Sequence, residues 1–524
     1  MALSNSYSKL ATHLINVFET REKELNDEKI TVNDLVSKVA YFYEKFRTAM
    51  DYGTEETIPR RAIERMLKRM LFLEQKPKTL AEDLIRELIW AGYFPNATVP
   101  ESLIDRVSTS ISLYLHLKNS LSKRNTLKKE DINDFILEVL SCEIFSILVP
   151  NKEKEAVVNF TFQILRDSIN IEDDTKQTKD IQVFLAIRKS FAKDDLPFLK
   201  YILFTQIFGR LTQENIDNVL NSFDKGYKEI KYQLSYPLKE RILGNIKKRI
   251  PPFLILYDIL TEEKGQIKAL SLKEEAFKER VFEACDKKYR TIKRKVRTAV
   301  IRSFIFILFT KAIIALAIEG TFESIFLGQI QWSSIMLNII LPPTIMVAVG
   351  LSIRTPNEEN SEIIYNDIQK LLYEENPVIT NSLSLKLKAN TSRTLKDYIF
   401  SILWILSICL TLGIIWLALD KLHFNILSKG IFIFFIAIIS FLSYRIYQTA
   451  DSYKVTRRQS LFTPLFEFFF VPIIRVGQQL TEGIVQINFI LIAIDFIIEA
   501  PFKSLIGFFE QWFLFVASKR EELE

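Results

Sequence analysis

Residues 398–419, YIFSILWILSICLTLGIIWLAL, decide the class of fold. They form a run of 22 residues without a charge. A hydrocarbon core about 30 Å thick is crossed by roughly 20 helical residues, and a helix satisfies its own backbone polar groups there. Tyr398 and Trp416 stand near the ends of the run and Asp420 and Lys421 follow it, which matches an interfacial aromatic belt. A second run, residues 333–353 (SSIMLNIILPPTIMVAVGLSI), fills the 21 positions between Trp332 and Arg354. Two shorter runs are framed in the same way: residues 430–444, closed by Arg445, and residues 303–318, interrupted by Lys311. These runs predict four transmembrane helices.

The rest of the chain separates from these runs by charge. Of 69 Lys and Arg, 51 precede residue 299, and 44 of the 63 Asp and Glu do so. In residues 1–298 apolar side chains recur at three and four, glycine is scarce and no run alternates as a strand would. After Pro59, for example, Ile63, Met66, Leu67, Met70 and Leu71 share one helical face, Arg61, Arg65, Lys68 and Arg69 the opposite one, and Arg60 falls at the edge. The predicted fold is all-α. It has a cytoplasmic helical subdomain over 1–170 and a second over 181–298, separated by the linker-like IEDDTKQTKD. A transmembrane hairpin follows over 299–356, then a cytoplasmic helical connector over 357–397, a second hairpin over 398–447 and amphipathic membrane-associated helices over 461–524.

Orientation follows from the basic residues beside the spans. Lys287, Lys288, Arg290, Lys293, Arg294, Lys295 and Arg297 precede the first run without an acid among them, whereas the loop 319–332 holds Glu319 and Glu323 and no cation. Short basic flanks stay inside, so both termini are expected in the cytoplasm, and the first loop outside. The N-terminal stretch has only Lys9 in place of a basic n-region and is not a secretory signal. The seven basic residues are also candidates for contact with anionic lipid, at about 1 kcal/mol each near the surface.

Inside the apolar half, ionisable and helix-breaking residues mark candidate membrane-path positions. Lys311 is expected either to pair with Asp495 or to snorkel. Pro342 and Pro343 remove two backbone donors, which predicts a kink with carbonyls left free for a cation or water, and Asn338, one turn earlier, is placed to bond between helices. Near the C-terminus, Thr481, Asn488, Asp495, Glu499, Lys503 and Glu510 fall on one narrow stripe. Helices lying in the headgroup plane explain that stripe; packing of Asp495 and Glu499 against a wet cavity, or a fifth span, are the alternatives.

Catalytic signatures are missing from the sequence. The 14 glycines form neither dinucleotide nor P-loop fingerprints. His13, His116 and His423 stand apart, and Cys142, Cys285 and Cys409 suit neither a zinc site nor a disulfide framework; all three read as buried thiols. No cofactor, metal or enzymatic activity is expected. The basic face of residues 61–69 carries no aromatic interleaving, so a solvated or internally paired face is preferred over nucleic acid.

Two stretches, residues 59–65 (PRRAIER) with Lys68 and Arg69, and residues 497–503 (IIEAPFK) followed by Phe509, Glu510, Gln511 and Trp512, resemble a group of bacterial multi-pass membrane proteins with a long helical cytoplasmic region. The resemblance implies a bacterial cytoplasmic membrane and no activity, ligand or site. The expected role is a non-enzymatic membrane scaffold whose cytoplasmic region binds a protein partner or shapes the bilayer; the alternative is a channel or transporter subunit, with a path between copies of a homo-oligomer.

Overall fold

A computed structural model describes residues 7–20, 27–49, 57–71, 76–124, 127–271, 273–328, 331–353, 355–377, 382–387, 395–422 and 424–455, with residues 474, 508, 512, 515 and 516 beyond them. Almost all of this is helix. The chain divides into two compact units, one comprising residues 1–253, 373–387 and 490–524, the other residues 254–372 and 388–489. Residues 171–180 thus lie inside the first unit, and the division falls after Phe253.

The first unit is a helical assembly around Lys129–Leu148, which buries side chains on most of its faces, including Ile132, Phe135, Ile136, Val139, Leu140 and Ile144. Phe135 meets Phe223 and Tyr227 edge-on at 5.9 and 5.2 Å, an arrangement that aromatic quadrupoles favour. Ile58–Met70 shows how the sequence pattern becomes packing. Its proline suits the first turn, and Ile63, Met66, Leu67 and Met70 are buried as the periodicity predicts. Its basic side is tied down within the molecule: Arg65 pairs with Glu44, Arg69 with Glu87, and Lys68 lies 3.3 Å from Asp134. Arg60 is only 3% exposed and reaches Asp195 at 2.8 Å, Glu64 at 2.5 Å and Ser141 at 3.1 Å. Asp195 also accepts from the Phe198 N–H at 3.2 Å, capping helix Leu196–Phe208.

Two expectations for this unit need correction. Ile169–Ile171 and Leu383–Leu385 pair as short parallel strands. Alternation cannot reveal three-residue strands, and their partners lie more than 200 positions apart. The supposed linker is also ordered: Thr175 caps helix Lys176–Ile187, the Tyr236 hydroxyl donates to Asp174 at 2.8 Å, and Glu172 receives Ser384 and Lys386.

Among the described residues of the second unit, three helices are long and apolar enough to cross a bilayer: Glu274–Phe326, Trp332–Ser352 and Ile426–Tyr453. Four were expected. The remaining run lies on helix Leu395–Lys421, where side chains at 395–397, 400, 401 and 404 fall outside the described residues, and that helix is not among the three. Cys409, on this helix, is exposed rather than buried, whereas Cys142 and Cys285 are buried. The predicted first loop is corrected as well. From Glu274 the chain stays helical to Leu327, widening into π-helical turns at Ala315–Gly320 and Glu323–Leu327, so Glu319 and Glu323 sit on a helix instead of in an aqueous loop. They can do so because each finds partners there.

Candidate functional site

The three apolar helices expose long apolar side chains and bury a few ionisable ones within an otherwise apolar interior. Phe309, Ile313, Ile325 and Phe326 are each more than 60% exposed, yet Lys311 and Glu319 are 0% exposed and Glu323 1%. Water favours the opposite arrangement, with long apolar side chains inside and ionised ones outside. Hydrocarbon reverses the preference.

The wide turn at Ala315–Gly320 is what brings the first pair together. Eight residues of regular helix rotate about 800°, leaving Glu319 about 80° from the Lys311 face; the extra residue of a π-type turn removes most of that offset. The Lys311 Nζ donates to Glu319 Oε1 at 2.8 Å and lies 5.2 Å from the centre of the Phe435 ring. Glu319 Oε2 accepts from Asn338 Nδ2 at 2.6 Å and from Ser428 Oγ at 2.8 Å. One carboxylate therefore gathers donors from all three helices. Asn338 bonds between helices as expected.

A second rung lies one turn further on. Glu323 Oε2 accepts from the Gln331 N–H at 2.7 Å, at the start of helix Trp332–Ser352, and Glu323 Oε1 accepts from Asn425 Nδ2 at 2.7 Å. Asn425 also caps helix Ile426–Ala450, its Oδ1 accepting from the Ser428 N–H at 2.7 Å, so the two rungs share a strut. Beyond them Lys429 pairs with Asp420 and lies 5.0 Å from the centre of the Trp416 ring.

Of the candidate path residues, Lys311 and Asn338 belong to this seam. Pro342 is one turn from Asn338; it and Pro343 are buried within a helix that continues through both. Lys311, expected either to pair with Asp495 or to snorkel, is fully buried and pairs with Glu319 among the described residues. Asp495 and Glu499, with the rest of the C-terminal stripe, lie outside the described residues. Glu319, Glu323, Ser334, Asn425 and Ser428 escaped the sequence reading, although the four-residue spacing of Glu319 with Glu323 and of Ser334 with Asn338 is a helical-face signal. From the sequence the glutamates read as loop acids, because the apolar run ends at Ile318.

The polybasic stretch divides into two parts. Lys287 reaches Glu262 at 2.5 Å, Lys288 Asp258 at 2.9 Å and Arg290 Asp286 at 2.8 Å. Lys293, Arg294, Lys295 and Arg297 are exposed and form no ion pair among the described residues. Of the seven, those four carry charge that no acid among the described residues answers.

No protein-family model matches the chain, and comparisons with curated proteins and with solved structures find no match. The site is therefore read from its own geometry.

Proposed function

We propose that the chain is an integral-membrane scaffold, non-enzymatic, whose helical region on the cytoplasmic side binds a protein partner or shapes the bilayer. The observation that carries this reading is the Glu319 seam. Its donors come from three helices and its charge is matched inside the protein by Lys311. A buried network of this kind locks helices together, and buried polar contacts serve helix association where apolar contact with lipid offers no preference. Helix Leu395–Lys421 is the fourth span in this proposal, both termini lie on the basic side of a bacterial cytoplasmic membrane, and Lys293, Arg294, Lys295 and Arg297 meet anionic headgroups.

Four experiments test it. The full chain should remain with vesicles in alkaline carbonate, and a tag at the N-terminus should be unreachable from outside intact cells; release, or labelling from outside, refutes the topology. Reconstituted in proteoliposomes, the chain should conduct no ions or small solutes, and cross-linking in cells should trap a cytoplasmic protein on residues 1–253. The second reading, a channel or transporter subunit, draws on ionisable groups and paired prolines within the apolar helices. Flux that is lost in Lys311→Ala protein, with the variant still folded, would establish it instead.

A further inference from the structure

The seam carries more negative charge than positive. Glu319 and Glu323 are both buried, and among the described residues only Lys311 answers them; Lys429, further along the seam, is engaged by Asp420. Among the described residues Glu323 holds only neutral donors, the Asn425 amide and the Gln331 N–H. A buried carboxylate left without a counter-charge is costly in so apolar a setting.

The facing helix supplies a second, independent observation. Ser334 and Asn338 are 7% and 0% exposed, and both Ser334 Oγ and Asn338 Oδ1 lack any hydrogen-bond partner among the described residues. Buried polar atoms are almost always satisfied, so two orphans one turn apart call for an occupant. Their direction follows from the contacts already given. Asn338 touches Glu319, Ser334 lies one turn nearer Gln331, and the Gln331 N–H touches Glu323, which places Ser334 on the helix face turned toward the two glutamates. The proline pair adds a further oxygen. With no N–H on Pro342, the Asn338 carbonyl loses its regular i+4 donor.

From these observations we infer that the seam binds one monovalent cation, Na⁺, between the Glu323 carboxylate and the oxygens of Ser334 and Asn338. The donors are all hard oxygens, which suits an alkali or alkaline-earth ion over a transition metal. One surplus negative charge matches a single positive charge; a divalent ion ordinarily draws on more carboxylates. Binding neutralises Glu323 and gives the orphaned oxygens a partner, so the ion closes the half of the seam that Lys311 does not reach. This inference stands apart from the scaffold reading, since an ion site of this kind serves a fixed clamp and a coupled transporter equally.

The test uses the full chain purified in detergent at pH 8, with NaCl replacing choline chloride at constant ionic strength, and reads melting by tryptophan fluorescence. Saturating Na⁺ should raise Tm by about 5 °C, as preferential binding to the folded state requires. Glu323→Gln should abolish the response while melting in choline no lower than the parent. Ser334→Ala should shift half-saturation upward about tenfold, the loss of one good oxygen contact. A Tm indifferent to Na⁺, or a response that persists in Glu323→Gln, overturns the site. Stabilisation by acid alone, with no Na⁺ response at pH 8, assigns the charge to a proton on Glu323 and overturns it too. Should Glu323→Gln fail to fold, binding of radioactive Na⁺ to Ser334→Ala decides, and unaltered binding sinks the proposal.

Discussion

Replacing Lys311 by Met keeps the length and apolar volume of the side chain and removes the charge opposite Glu319. Two things change at once. Glu319 loses a 2.8 Å charge-assisted hydrogen bond, keeps its two neutral donors, and becomes an uncompensated charge at 0% exposure. Breaking one side of a buried ion pair costs roughly 3–5 kcal/mol, whereas a neutral hydrogen bond between membrane helices averages about 0.6 kcal/mol. The single variant should therefore lose about 3 kcal/mol, dominated by the orphaned carboxylate. Adding Glu319→Gln should restore most of it, because the amide can still take part in hydrogen bonding with Asn338 and Ser428 without a charge to bury. Equilibrium unfolding of the full chain in mixed micelles, followed by tryptophan fluorescence, gives both numbers and a coupling energy from the double-mutant cycle. If the losses of Lys311→Met and Glu319→Gln simply add, the pair is not coupled and the clamp argument fails.

Three further outcomes follow from the same reasoning. Asp367 is 6% exposed, and burial pushes its carboxyl up to about 6, with Lys370 opposing. A raised acid costs stability as it ionises, so the penalty is absent below about pH 4 and complete above about pH 6, on the order of 3 kcal/mol. Asp367→Asn should raise Tm at pH 7.5 and flatten the pH profile between those limits, and an unchanged profile would count against the burial argument. Arg60→Ala removes the group shared by Asp195, Glu64 and Ser141, and should cost about 3 kcal/mol in urea titrations; Arg60→Lys should rescue little, since one ammonium cannot span those acceptors. At Gly350 an added Cβ would fall 2.7 Å from both Val300 methyl groups, so Gly350→Ala should lower Tm by forcing helix Trp332–Ser352 away from helix Glu274–Ile314, at about 1–3 kcal/mol, while an unchanged Tm would show that Val300 can yield.

How much of this was legible beforehand depends on distance along the chain. The helix beginning near Pro59 shows in one turn of periodicity, and its buried face is the one that appears. The internal pairing of its basic face is a matter of partners 18 to 135 residues away, among them Glu44, Glu87 and Asp195, which no local pattern announces. The polar seam is similar. Lys311 and Asn338 stood out because each interrupts an apolar run, but Glu319 and Glu323 looked like the acids of an aqueous loop.

Sequence alone determined that the chain is helical and that its second half carries helices of membrane-crossing length, because backbone satisfaction and side-chain periodicity act within a few residues. The tertiary structure alone decided which polar groups meet. A π-type turn rotates Glu319 onto Lys311, helix packing sets Asn338 and Ser428 against the same carboxylate, and Glu323, Ser334 and Asn338 are left with charge and oxygens to spare. Pairing energies in a low-dielectric interior depend on separation and desolvation, and both quantities exist only once the helices are in place.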